Sequence, residues 1–196
     1  MDKIVFATTN AGKIKEIKEI LADFDVEVAS MKEMNITADI EENGATFEEN
    51  SLIKARAVSK LTGLPALADD SGLEVDYLNG EPGIYSARYL GRDTDYDYKN
   101  NYIIKKLKDA KDEERSARFV CVISLVLPDG REFVKKGVME GRIGYEIKGE
   151  NGFGYDPIFF LPEYGKTSAE ISAEEKNKIS HRGKALSAMK EVIANL

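Results

Sequence analysis

The chain carries one cysteine in 196 residues, Cys121. No internal disulfide can form, and a thiol inside the apolar run Phe119-Val120-Cys121-Val122-Ile123 reads as buried and inert. No stretch approaches the roughly 20 apolar residues that a membrane span needs. Met1-Asp2-Lys3 leads into only a short apolar run, unlike a signal peptide, so the expected location is cytoplasmic and no membrane partner is expected. Positive charge is in deficit. Lys and Arg number 28 against 35 Asp and Glu, giving a formal net charge of −7 and a pI near 5.0. Such a surface argues against a nucleic-acid backbone as partner, because that needs a basic face. A phosphate-bearing ligand would need cations concentrated locally. Histidine occurs once, as His181.

What is present is ordinary for a soluble globular protein: 42% hydrophobic and 32% charged residues. The length suggests one domain with room for two lobes. The sequence contains no internal repeat; its centre is Leu67-Ala68-Asp69-Asp70-Ser71-Gly72-Leu73. An apolar run enters two adjacent acids, and apolar alternation resumes at Leu73, Val75 and Tyr77. This predicts a strand ending in the acids, a tight turn at Ser71-Gly72 and a returning strand. Adjacent acids repel and lose hydration, so a hard cation such as Mg²⁺ or a reacting group would explain them. An Asx-type turn would also explain them.

Ile4-Val5-Phe6-Ala7 reads as a buried strand, followed by Thr8-Thr9-Asn10-Ala11-Gly12-Lys13 and a helix to about Leu21 with Ile14, Ile17, Ile20 and Leu21 on one face. Strand, polar loop and helix start form a phosphate-binding layout, to which Lys13 adds a charge. A Walker A motif is excluded, since Ala7 and Ile14 stand where it needs Gly and Ser or Thr. A plain strand-to-helix turn with a Thr or Asn cap remains open. Residues 24–29 read as a strand. Thr46 and Glu49 predict a capping box on a helix ending at Gly63, with Phe47, Leu52, Ala55, Val58 and Leu61 inward. Glu42 suits the approach to that helix, and Lys54 and Arg56 suit its solvated face. Residues 85–89 read as a short strand or turn, and 93–108 as a helix with Tyr98, Tyr102, Ile103 and Leu107 inward. Residues 118–127 and 132–138 predict a hairpin turning at Pro128-Asp129-Gly130 and forming a second lobe's core. Phe153 to Pro157 precede a buried strand at 158–161. Ser172 and Glu175 predict another capping box, with Lys176 in the helix, and Ser180-His181-Arg182-Gly183 open a last helix with Leu186, Met189, Val192 and Ile193 buried.

Taken together, Thr8-Thr9-Asn10-Ala11-Gly12-Lys13, Phe47-Glu48-Glu49-Asn50-Ser51 with Lys54-Ala55-Arg56, the Asp69-Asp70 stretch, Gly152-Phe153-Gly154-Tyr155-Asp156-Pro157, and Glu175-Lys176 with Ser180-His181-Arg182-Gly183 resemble the inosine triphosphate pyrophosphatase family. Pro82-Gly83-Ile84-Tyr85-Ser86-Ala87-Arg88 resembles its bacterial and archaeal branch. The resemblance implies an α/β fold, a long twisted mixed sheet flanked by helices, forming a single domain with two lobes and a central substrate cleft. It implies hydrolysis of ITP, dITP and XTP to monophosphate and pyrophosphate, a Mg²⁺ cofactor and a homodimer. By the same resemblance Thr8, Thr9, Asn10, Ala11, Gly12 and Lys13 bind the triphosphate, with Lys54 a further phosphate contact. Glu42 and Asp70 are Mg²⁺ ligands, and Asp70 is also the general base. Ser71 contacts substrate, and Phe153, Gly154, Tyr155, Asp156, Lys176, His181 and Arg182 form the nucleoside site. Asp69 assists the metal or orients Asp70. The Maf-like pyrophosphatases, with different base preference, and a non-catalytic nucleotide sensor are the alternatives to be separated by substrate.

Overall fold

The computed structural model describes residues 3–22, 24 and 26–196. Among the described residues seven strands form one mixed sheet: β1 (Lys3–Phe6), β2 (Glu27–Ser30), β3 (Ala66–Val75), β4 (Ser116–Val126), β5 (Glu132–Ile143), β6 (Phe159–Leu161) and β7 (Lys166–Thr167), in the order β2-β1-β3-β4-β5-β6-β7. β1 runs parallel to β2 and β3, whereas β6 runs antiparallel to β5 and β7. The helices are α1 (Ala11–Ile20), α2 (Phe47–Thr62), α3 (Tyr96–Lys106), α4 (Ala173–Ile179) and α5 (His181–Ala194). None is long and apolar enough to cross a membrane among the described residues. The expected α/β architecture, a mixed sheet with helices, is what forms.

The chain divides into two compact units. The first comprises residues 1–70, 121–137 and 181–196, the second residues 71–120 and 138–180.

In the first unit the strands bury both faces, and side-chain alternation sorts them. Ile4 and Phe6 of β1 and Leu67 of β3 pack with Ile17 of α1 and Leu186 and Met189 of α5. Val5, Ala7, Ala66 and Ala68 pack instead with Ala55 and Val58 of α2. The face on which a β3 residue falls therefore decides which helices it meets. α1 begins where Asn10 accepts a hydrogen bond from Lys13 N at 3.1 Å. α2 ends at Gly63, whose φ of 67° is the left-handed conformation that glycine adopts without strain.

In the second unit the core joins Leu73 and Val75 of β3, Ile103 and Leu107, Ala117 and Phe119 of β4, Met139 and Ile143 of β5, and Ile158, Phe159 and Ile171. Arg115, 1% exposed, donates to the carbonyls of Leu107, Ile143 and Gly144, tying the end of α3 to the end of β5.

Several sequence expectations are corrected. The turn at Ser71-Gly72 does not exist, because β3 runs unbroken through both acids; each finds cationic partners on its own face, so no turn is needed to solvate them. The Thr46–Glu49 capping box is only half made. Thr46 accepts from Glu49 N, but the Glu49 carboxylate accepts from Ala45 N at 2.6 Å. Leu61 and Tyr98 are exposed, at 62% and 58%. Lys54 is buried rather than on a solvated face, while Arg56 is exposed and forks onto Glu132. On α3 the inward positions are Lys99, Asn100 and Ile103; Lys99 reaches the carbonyl of Ala87. Residues 83–88 form a 3₁₀ turn, and the strand expected at 24–29 is β2, with Asp23 and Asp25 outside the described residues. The β4–β5 hairpin serves both units: Cys121, Ile123 and Leu125 lie in the first core, Phe119 and Met139 in the second.

Candidate active site

Two clusters gather the predicted residues, one in each unit. In the first, Asp69 is fully buried at 0% exposure. Its Oδ1 lies 3.1 Å from Lys13 Nζ on α1, and its Oδ2 accepts from Arg182 Nη2 at 3.0 Å and Nε at 3.3 Å on α5. Arg182 Nη1 donates to Glu16 of α1. Burial pushes the Asp69 carboxyl up, but Lys13 and Arg182 outweigh it and hold the group well below the usual carboxylate range.

Asp70 falls on the opposite face, toward α2. Its Oδ2 accepts from Asn50 Nδ2 at 3.2 Å, and its Oδ1 lies 3.5 Å from Lys54 Nζ. The same ammonium donates to Glu42 Oε2 at 3.0 Å. Burial raises the Asp70 carboxyl, helped by Glu42 and Asp69 and opposed by Lys54 and Lys13. Lys54 is pushed down by burial and further up by Asp70, Asp69 and Glu42. Asp70 is raised chiefly by burial, whereas Lys54 is raised by an excess of carboxylate around it: Glu16, Glu42, Asp69 and Asp70 face Lys13, Lys54 and Arg182.

That excess bears on a metal. Among the described residues no three His, Cys, Asp or Glu side chains are disposed around one metal position. Glu42 and Asp70 do converge, because each places an oxygen beside the one Lys54 ammonium. Two hard carboxylates fit Mg²⁺, which binds through one or two carboxylates together with substrate phosphates and water rather than in an all-protein cage. Thr8, Thr9, Asn10, Ala11 and Gly12 lie between β1 and the first turn of α1; Thr9, Asn10 and Ala11 are exposed. Asn10 N donates to Thr8 Oγ1 at 3.2 Å.

In the second unit Asp156 is the hub. Its Oδ2 accepts from Phe153 N at 2.8 Å and from Lys176 Nζ at 2.6 Å, while Oδ1 accepts from Ser168 Oγ at 2.8 Å. The Lys176 ammonium stands 5.2 Å from the centre of the Phe153 ring. Gly152 has φ +75°, and a Cβ there would collide with the Asp156 carboxylate, so the loop needs glycine on both counts. Tyr155 is buried, donates to the Ser86 carbonyl at 2.8 Å and meets Tyr96 edge-on at 5.2 Å. Gly154 is held through its carbonyl by Asn100 Nδ2 at 3.1 Å. Ser71 is half-buried in β3.

The Ham1 family profile matches residues 4–192. The chain belongs to the Ham1 family. It is 50% identical over 197 residues to a protein of Clostridium perfringens named dITP/XTP pyrophosphatase, covering 97% of each chain. It is 53% identical over 189 residues to one of Thermus thermophilus with the same name, covering 96% of this chain and 90% of that one. A solved Ham1 protein from Coxiella burnetii superposes with a TM-score of 0.90 at 44% identity, over all of both chains. The resemblance drawn from the motifs therefore holds along nearly the whole chain.

In this Ham1 chain some predicted residues stand differently from expectation. The resemblance puts Arg182 in the nucleoside site, but all three guanidinium nitrogens point at Asp69 and Glu16, and its side chain is 2% exposed. Tyr155 and Asp156 are committed to the protein through the hydroxyl and both carboxylate oxygens. His181 is 5% exposed at the start of α5, packed where Gly137 of β5 leaves no room for a side chain against its carbonyl. Sequence reasoning missed Glu16 and Gly137, and quoted Asn50 within a motif without giving it a role. Glu16 looked like one charge among several on α1; its position two residues beyond Ile14, near the buried Ile17, was the signal available.

Proposed function

We propose that this chain hydrolyses non-standard purine nucleoside triphosphates, dITP, XTP and ITP, to the nucleoside monophosphate and pyrophosphate. The observation that carries the reading is the pair Asp70 and Glu42 converging on Lys54, one strand residue from the Asp69–Lys13 pair at the start of α1. Carboxylates beside lysines suit a polyanion that arrives with a divalent cation. A site for phosphate binding alone gains little from acids.

Glu42 and Asp70 would hold Mg²⁺, and such an ion neutralises phosphate charge and lowers the pKa of nearby water. The protein's own groups supply the rest. Asp70, held from two sides, orients water toward the α-phosphorus and accepts its proton. Lys13 and Lys54 neutralise charge on the phosphates and on the leaving pyrophosphate. Thr9 to Ala11 are exposed at the start of α1, where the helix dipole favours phosphate oxygens. In the second unit, the Phe153 ring offers a stacking face for a purine, a contact worth about 1–3 kcal/mol per base in single-strand binders. Lys176 steadies that ring. Arg182 acts here through Asp69 rather than on the base. His181 and Ser71 are assigned to the substrate's neighbourhood by motif.

Mg²⁺ dependence, a homodimer and a cytoplasmic location are part of the same proposal. The deciding experiment measures pyrophosphate and orthophosphate from ITP, XTP, dITP, GTP, ATP and dTTP, with and without Mg²⁺. Pyrophosphate from the first three, only with the metal, is expected. Orthophosphate with a diphosphate, or equal turnover of dTTP, would refute the reading.

A further inference from the structure

Asn50 is fully buried at 0% exposure, on the face of α2 that meets β3. Its Nδ2 donates to Asp70 Oδ2 at 3.2 Å, and its Oδ1 accepts from Gly44 N at 2.8 Å. The orientation of the amide is fixed by its partners, since Gly44 offers only an N–H and the ionised Asp70 only acceptors. Lys54 lies one helical turn further along the same face. It makes a parallel link, from Glu42 Oε2 at 3.0 Å to Asp70 Oδ1 at 3.5 Å. α2 thus holds two rungs between the 42–44 segment and β3, and the two rungs engage both oxygens of Asp70.

The Asn50 rung requires an acceptor on one side and a donor on the other, at one length. Aspartate has no donor and adds a charge beside Asp70, leucine has neither group, and glutamine is a methylene longer. The segment it holds is itself tightly seated. A Cβ on Gly44 would lie 2.7 Å from Glu49 Cβ and 2.8 Å from Asn50 Oδ1. Glu49 secures the next amide, Ala45 N, at 2.6 Å. Glu42 is carried two residues before Gly44 on this fixed segment.

We propose that Asn50 is a positioning residue that sets the spacing and orientation of Glu42 relative to Asp70, and so the geometry of the divalent-cation site. This rests on the proposed activity, but its main readout does not. The experiment compares wild type, Asn50→Leu and Asn50→Asp by Mn²⁺ affinity of the nucleotide-free protein, from electron paramagnetic resonance, and by kcat and KM for dITP, with circular dichroism as the check on folding. Loss of a group orienting a metal ligand typically costs about 10–100-fold in metal affinity or activity. Asn50→Leu is expected to weaken Mn²⁺ binding by about that factor and to lower kcat similarly, while KM changes by less than about threefold. A folded Asn50→Leu with wild-type Mn²⁺ affinity and kcat overturns the proposal. So does a change in KM alone, which would make Asn50 a purely structural or nucleotide-contacting group. If Asn50→Leu does not fold, Asn50→Asp, which keeps the shape and the acceptor for Gly44, decides through kcat: an unchanged kcat overturns, a lowered one supports. Wild type that releases no pyrophosphate from dITP refutes the activity instead, and the Mn²⁺ comparison still decides the role of Asn50.

Discussion

Asp69 and Asp70 are neighbours in the chain, yet their carboxylates meet different helices. Asp69 is held by Lys13 of α1 and Arg182 of α5, and Asp70 by Asn50 and Lys54 of α2. Strand alternation separates them, so each acid has its own cations and its own consequence. The net effect differs in sign: Asp69 is held below the usual carboxylate range, and Asp70 is raised from its ordinary value, chiefly by burial.

Asp70→Asn keeps the shape and removes both the proposed base and one charge of the proposed metal site. Loss of a general base alone typically costs about 10²–10⁴-fold. Turnover of dITP is expected to fall by at least the lower figure, with circular dichroism unchanged. Turnover near wild type would place the base elsewhere.

Lys13→Ala should weaken nucleoside triphosphates broadly without changing base preference, because the residue pairs with Asp69 and its proposed ligand is phosphate. The check is kcat/KM for dITP and dATP. A changed ratio between the two substrates contradicts the assignment.

Arg182→Ala removes the cation from between two buried carboxylates, Asp69 and Glu16. Breaking a buried pair in this way typically costs about 3–5 kcal/mol. Urea unfolding should show that loss, and adding Glu16→Gln should recover part of it by removing one stranded charge. A stability within about 1 kcal/mol of wild type would mean that the pair carries little weight.

Gly137→Ala places a Cβ against the His181 carbonyl and 2.7 Å from Ala185 N, where backbone on both sides leaves little freedom. Overpacking of this kind costs about 1–3 kcal/mol. The expected result is a lower urea midpoint with an unchanged slope. No loss would show that α5 shifts freely at its start.

Cys121 supplies a pH test. Burial, with Asp69 adding to it, pushes the thiol up to about 12. An unfolded thiol titrates near 8.5. The folded value is raised, so the contribution to stability is fully present below about 8.5 and is lost as pH rises toward the folded value, at up to ~1.4 kcal/mol per pH unit. Wild type should lose stability between pH 8.5 and 10.5 more steeply than Cys121→Ala. Equal slopes would mean that the thiol is not protected, and native-state alkylation at pH 8.5 should then be fast.

The local patterns were readable because they depend on nearby residues. Asn10 as cap, Gly63 as terminator, the Ser172–Glu175 capping box and the buried stripe of α5 all follow from spacing and backbone preference. The family followed from motif order. The turn expected at Ser71-Gly72 failed for a tertiary reason. Adjacent acids look intolerable in a buried strand until the distant Lys13, Arg182, Asn50 and Lys54 are known to flank it.

By itself the sequence determined the helix caps and the residue types from which a phosphate site is made, and its motifs, through the family they resemble, implied the α/β class. Periodicity and capping act over a few residues, so they survive in one dimension. Only the tertiary structure decided that Arg182 reaches Glu16 across 166 positions, that Asn50 joins Gly44 to Asp70, and that Lys54 is buried rather than solvated. Partners so far apart in the chain become neighbours through packing, and burial then strengthens the interaction between their charges and makes each pairing matter.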